Sequence, residues 1–328
     1  MQIDFQPPHH WQELNEKAST LLGVEAVGGA VKLLAGLSAA LCELTVGLLK
    51  QFPHKKKIYL FKNMDPVYEA ATTLLSREGC AIQALEPNLL LDKAALEAAI
   101  SSDGLLVLCS EDDPMLGRLH DLTFLQEVIE AKKVILLKVS HAHHRFLPLP
   151  TAYTRQMFHV HSLGSHLAAV FHSARVRWPI QFSESVALAA NALSEVEKLK
   201  RQELVNPDIV EKFEASLPAE SKRVFASGAA RIPDRVVLYW PDMDGFAVIT
   251  RLAERLKHKL AGPGESSSFE TTSLNRWRGV RTMDWLRDFG FNDEMIRGTV
   301  IIDQRYVDQN LAAHLSIIRA EILKIQNG

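Results

Sequence analysis

The sequence predicts an α/β protein, a mostly parallel sheet with helices on both faces, plus a small C-terminal α+β domain. Three observations lead there. Strand-like and helix-like segments alternate from Lys57 onward. Two short apolar pulses, Val134–His141 and Met157–His166, are continuous rather than alternating, as expected of strands buried on both faces. After Glu184 the pattern changes to a long amphipathic helix and then to a second, shorter strand and helix series.

In order along the chain, the first residues through His9-His10-Trp11 read as an ordinary polar terminus with no function. The glycine-rich stretch Gly23–Ala30 leads into an apolar helix through about Leu49, interrupted by Glu25, Lys32 and Glu43 and so a core helix, not a membrane span. Strands follow at 58–61, 80–85, 105–109, 134–141 and from 157, separated by helices at 66–77, 92–100 and 119–131. A strand at 168–175 closes the group. The helix over 184–202 begins a bridge, the stretch 206–234 is polar and irregular, and strands at 235–240 and 299–303 alternate with helices at 245–260 and 307–325. The expected domains are 1–183 (large α/β), 184–233 (bridging) and 234–328 (small α+β).

Composition narrows the function classes. The 328 residues are 47% hydrophobic and 23% charged with a formal net charge of −2, which gives no electrostatic footprint for nucleic acid or an anionic membrane surface. Cys42, Cys80 and Cys109 are odd in number and sit in apolar runs, which predicts reduced thiols and, with no signal peptide in view, a cytoplasmic protein.

In open α/β sheets ligands collect where the strands end. The polar residues there include Lys138, Ser140, His141, His143, His144, His161, Ser162, Ser165 and His166. His141, His143 and His161 are the metal-ligand candidates, since imidazoles suit zinc or nickel. Their spacing matches no established zinc signature, and the plain alternative is that each is a satisfied polar residue at a strand end or in a loop.

The order of features resembles the fold-type I pyridoxal-phosphate (aspartate aminotransferase) superfamily over nearly the whole chain. Gly28-Gly29-Ala30 opening a long helix resembles its phosphate-binding turn. Asp65-Pro-Val-Tyr68 resembles the element whose aromatic ring stacks on the cofactor. Asp113-Pro-Met-Leu-Gly117 resembles its Asn-Pro-x-x-Gly turn, Lys138-Val-Ser-His141 falls at its Asp-x-Ala-His, and Ser162-Leu-Gly-Ser-His166 with Arg175-Val-Arg-Trp178 resembles its Ser-x-Ser-Lys motif and sequel. The resemblance implies a large domain with a seven-stranded sheet, a homodimer, and Gly28, Gly29, Ala30, Tyr68, Asp113, Ser162 and Arg175 as cofactor-binding positions.

The departures fall on the chemistry. The family's lysine forms an imine with the cofactor, whereas this chain has Ser165 or His166 there and no lysine between Lys138 and Lys198. The family's aspartate supports a protonated ring nitrogen, and Lys138 substitutes a cation that repels it. Asp113 replaces the turn asparagine, and the substrate-binding arginine is replaced by Ile301 or Ile302. The expectation is a pseudoenzyme without cofactor, a binding or scaffold protein for a small anionic ligand or a protein partner, in which Lys138 pairs with Asp113 across the vacated ring site. Two alternatives stand beside it: an active enzyme using His166, with Ser165, Lys138 and His141 as further catalytic candidates and the pyridoxal or pyridoxamine form of the cofactor retained; and a metal-dependent enzyme using His141, His143 and His161.

Overall fold

The computed structural model describes residues 9–62, 67–113, 116–140, 154–163, 167–176, 193–194, 197, 207–217, 222–223, 230–232, 235–241, 243–256, 269–273, 287, 291–304 and 311–326. They belong to two compact units, residues 1–114 with 120–201 and residues 115–119 with 202–328.

The first unit contains, in order, α1 (His9–Leu22), β1 (Gly29–Leu34), α2 (Leu37–Gln51), β2 (Lys57–Phe61), α3 (Tyr68–Arg77), β3 (Ala81–Leu85), α4 (Lys93–Ala99), β4 (Gly104–Ser110), α5 (Thr123–Lys132), β5 (Ile135–Ser140), β6 (Met157–Ser162) and β7 (Ala168–Ser173). Its seven strands lie in the order β1-β7-β6-β5-β4-β2-β3. Only β7 runs against its neighbours, being antiparallel to β1 and β6, while the remaining pairs are parallel. Every residue of β4, β5 and β7 is buried, which is the physical reason these strands appear as apolar runs with polar residues only toward their last positions.

Each face of the sheet has its own core. Leu41, Leu44 and Leu48 of α2 and Ala71 and Leu75 of α3 pack on Ile58, Leu106, Leu137 and Val160. On the other face Leu96 of α4 and Leu125, Val128 and Ile129 of α5 cover Tyr59, Val107 and Leu136. Ala18 and Leu22 of α1 cover Val31, Leu33 and Phe171. Gly104 opens β4 because a Cβ there would lie 2.6 Å from the Tyr59 ring, whose hydroxyl accepts a hydrogen bond from the Ser101 N–H at 2.8 Å.

Two expectations for the first fifty residues are corrected. His9, His10 and Trp11, expected to be irregular, begin helix α1. The predicted helix over 23–49 divides into a short 3₁₀ turn at Val24–Val27, strand β1 and helix α2. Gly28 (φ 70°) and Gly36 (φ 82°) take positive backbone angles that end one element and begin another, and the seven residues between them are too few for a stable helix. Gly28-Gly29-Ala30 therefore leads into a strand, and α2 starts after Gly36. Strand β1 is held from outside by α1: the Val31 N–H donates to Ser19 Oγ at 2.8 Å and the Leu33 N–H to Asn15 Oδ1 at 2.9 Å.

The second unit has a four-stranded antiparallel sheet of β8 (Lys222–Arg223), β9 (Arg235–Tyr239), β10 (Phe269–Ser273) and β11 (Thr299–Gln304), in the order β10-β11-β9-β8. Its helices are α6 (Pro207–Ala215), α7 (Gly245–Leu256), α8 (Asp293–Gly298) and α9 (Leu311–Gln326). Strands β9 and β11 fall where the apolar pattern predicts, whereas β8, β10 and α6 lie in stretches read as irregular. Strands β8 and β10 are short or polar and carry no periodic signal, whereas α6 does show one, with buried Val210 and Phe213 three residues apart on one face. One polar contact anchors this region: Arg231 donates to both carboxylate oxygens of buried Glu214 at 2.9 and 2.7 Å, a bidentate pairing that uses arginine's planar donor fork.

Candidate functional site

Strands β4, β5 and β6 end side by side, and their polar residues meet on one face. The pairing register sets Cys109 beside Lys138, Lys138 beside His159, and His159 beside Phe171. With a side-chain period of two, Glu111 continues the face of Cys109 and His161 that of His159. The backbone of Glu111 is fixed by its N–H donating to the Val139 carbonyl at 2.8 Å and by its carbonyl accepting from the His120 N–H at 2.9 Å.

From this frame the side chains form a chain of contacts. Lys138 Nζ donates to Glu111 Oε1 at 2.8 Å, His159 Nε2 lies 2.9 Å from Glu111 Oε2, and His159 Nδ1 lies 3.1 Å from His161 Nε2. The His159–Glu111 contact is electrostatic rather than an aligned hydrogen bond. His161 meets the ring of Phe171 edge-on, with centroids 4.5 Å apart. The Lys138 and His159 side chains are each 3% exposed and that of Glu111 14%, so these charges sit almost entirely out of water.

Burial alone would raise the Glu111 carboxyl, but the neighbouring His159 ring and Lys138 ammonium outweigh it and hold the group down to about 2. Burial, reinforced by Lys138, pushes His159 down to about 4 against the pull of Glu111. At neutral pH the charged pair is thus Lys138 with Glu111, and His159 is neutral. Its Nε2 is best protonated toward the carboxylate, which leaves Nδ1 to accept from His161.

Sequence reasoning singles out Lys138 and His161 and misassigns the partner. The expected Lys138–Asp113 pair is replaced by Lys138–Glu111. Asp113 is also buried, but it lies two residues farther along the chain, beyond the end of β4. Glu111 is signalled by its parity with Cys109 once the β4–β5 register is known.

The other predicted cofactor positions do not converge on one place. Tyr68 is buried in the core at the start of α3, its hydroxyl donating to the Cys109 carbonyl. Ser162 ends β6 opposite Ala168, while Gly29 pairs with Ser173 at the far end of β7, just before Arg175. The two ends of β7 are about 17 Å apart. Ser162 and the group formed by Gly28, Gly29, Ala30 and Arg175 consequently lie at opposite ends of the strands rather than around one cofactor site. Ser165, His166, His141 and His143 lie outside the described residues. Among the described residues no group of three or more His, Cys, Asp or Glu side chains is arranged to hold a metal ion, and no helix is long and apolar enough to cross a membrane. Burial raises all three thiols, Cys109 to about 12, so none is poised as a thiolate nucleophile.

The sheet order and its single reversed strand, with helices on both faces, agree with the fold expected from the resemblance. Solved structures bear this out at the level of fold. A NifS-like protein superposes with a TM-score of 0.68 at 13% identity, covering 97% of this chain and 87% of that one. A cysteine desulfurase from Thermococcus onnurineus gives 0.67 at 10% identity, covering 98% and 84%. An O-acetylhomoserine (thiol)-lyase, so described provisionally, from Campylobacter jejuni gives 0.67 at 12% identity, covering 95% and 86%, and contains a pyridoxyl-lysine phosphate. No protein-family model matches the chain, and no curated protein matches it in sequence.

Proposed function

We propose that this chain keeps the fold of the pyridoxal-phosphate superfamily without its transamination chemistry and works as a binding or scaffold protein. The observation that carries this reading is the buried Lys138–Glu111 pair with His159 and His161 alongside it. By resemblance Lys138 stands where the superfamily has the aspartate that supports a protonated pyridine nitrogen, and a cation there repels such a ring. Imine formation needs a free amine, yet Lys138 is held in a salt bridge and the next lysine in sequence is Lys198. These residues do not fit pyridoxal phosphate as a catalytic group.

The test is to mix the protein with pyridoxal phosphate, reduce with borohydride and map the product by mass. The expected result is no pyridoxyl adduct within residues 134–178 and no cofactor absorbance in the protein as purified. An adduct on Lys138 overturns the reading. The reading includes the homodimer implied by the superfamily, tested by light scattering, where a particle of 36.6 kDa would remove that part.

A further inference from the structure

At the edge where β4, β5 and β6 begin and β7 ends, the first unit contains a cavity of about 390 Å³. Lys55, Lys133, Arg155 and Arg175 line it together with Phe52 and Phe158, and no acidic residue does. None of the four cations forms a salt bridge to a carboxylate among the described residues, although the nearby Asp103 carboxyl is held down by a hydrogen bond with Ser101 and in part by the charge of Lys55. Lys55 donates to the carbonyls of Ser102 and Gly104, both at 3.1 Å, which fixes its position without neutralising its charge and leaves one N–H of three for another acceptor.

Lys133 adds a second indication. It holds a left-handed backbone conformation (φ 54°) at the end of α5, a position that favours glycine, and the chain nevertheless places a cation there. Four like charges around one opening repel each other and concentrate a positive potential, which an anion relieves. Arginine's fork matches a phosphate, and the volume is that of a small-molecule site. Half-buried Phe52 supplies apolar surface for the remainder of the ligand, with the buried Phe158 behind it.

We propose that this cavity binds a small molecule carrying a phosphate monoester on an apolar, ring-sized body. The site lies at the opposite end of the strands from Lys138 and does not depend on the loss of transamination. The probe is 1-naphthyl phosphate, titrated calorimetrically against the full chain, with inorganic phosphate and a short single-stranded oligonucleotide as comparisons. Saturable binding of the naphthyl ester is expected, tighter than that of inorganic phosphate and weakened by roughly tenfold or more in the double variant R155A/R175A. Lys133→Gly is expected to weaken binding as well while leaving the fold at least as stable, so the loss cannot be attributed to unfolding. The borohydride experiment reads an adduct on Lys138 and this one reads binding at the opposite end of the strands, so either can fail without the other. Absence of saturable binding in the wild type, equal affinity in the arginine variant, or tighter binding of the oligonucleotide than of the ester overturns the proposal.

Discussion

The two ends of the same strands treat positive charge in opposite ways. Where β4, β5 and β6 finish, one lysine is buried and its charge is answered from within by Glu111, with two histidines completing the contacts. Where those strands start, four cations stand around an opening with no carboxylate among the lining residues. A desolvated charge is tolerated only with a partner, so the first group is closed upon itself, whereas cations that keep their hydration can stay uncompensated and available. Resemblance directs attention to the first edge. Electrostatics directs it to the second.

The largest test of this contrast is at Lys138. Lys138→Met leaves Glu111 as a buried lone carboxylate and is expected to cost about 3–5 kcal/mol in urea unfolding, because removing one partner of a buried pair is worse than removing both. The double variant K138M/E111L should recover much of that loss. If the two effects merely add, the pair is not what closes this edge.

Acid provides the next largest effect. The folded state holds Glu111 near 2, below its ordinary 4.5, and His159 near 4, below its ordinary 6.5. In both cases the unfolded chain binds more protons in the window between the two values, so stability falls as pH falls. The His159 contribution is complete above about 6.5 and fades toward 4, and that of Glu111 is complete above about 4.5 and fades toward 2. Each contribution is on the order of 3 kcal/mol. Urea unfolding across pH 7 to 4 should show the first part, and the slope should flatten in His159→Gln; an unchanged slope would mean His159 is not neutral in the fold.

At the open edge the same measurements should be nearly silent. Arg155→Ala and Arg175→Ala are expected to change stability by no more than about 0.5 kcal/mol, as exposed side chains without partners do. Lys133→Gly should raise it by about 1 kcal/mol by relieving the left-handed residue. A large loss in the arginine variants would show that this edge is structural too, and the contrast would disappear.

The parallel sheet is legible in the sequence because strands buried on both faces are mostly apolar, and β4 and β5 are so apart from Ser110, Lys138 and Ser140 near their ends. Strand β1 is not legible, since Gly29–Leu34 has residues that suit helix or strand equally and only the two positive-φ glycines around it decide. Lys138 stands out as a charge inside an apolar run, but its partner depends on the register between β4 and β5, which no local pattern encodes. The basic cavity is less visible still: its cations come from positions 55, 133, 155 and 175, and each alone reads as an ordinary solvated residue at the end of an element.

The side chains of Asn15 and Ser19 have a consequence beyond anchoring a helix. Strand β1 is the outermost on its side of the sheet, and an outermost strand offers outward N–H groups on which another chain can grow a further strand. Here two of those groups, on Val31 and Leu33, are already engaged by α1, so a foreign strand would have to displace a helix before it could add to the sheet. The first helix of this protein thus serves as a guard against edge-to-edge aggregation, with a polar grip of two hydrogen bonds and an apolar one through Ala18 and Leu22.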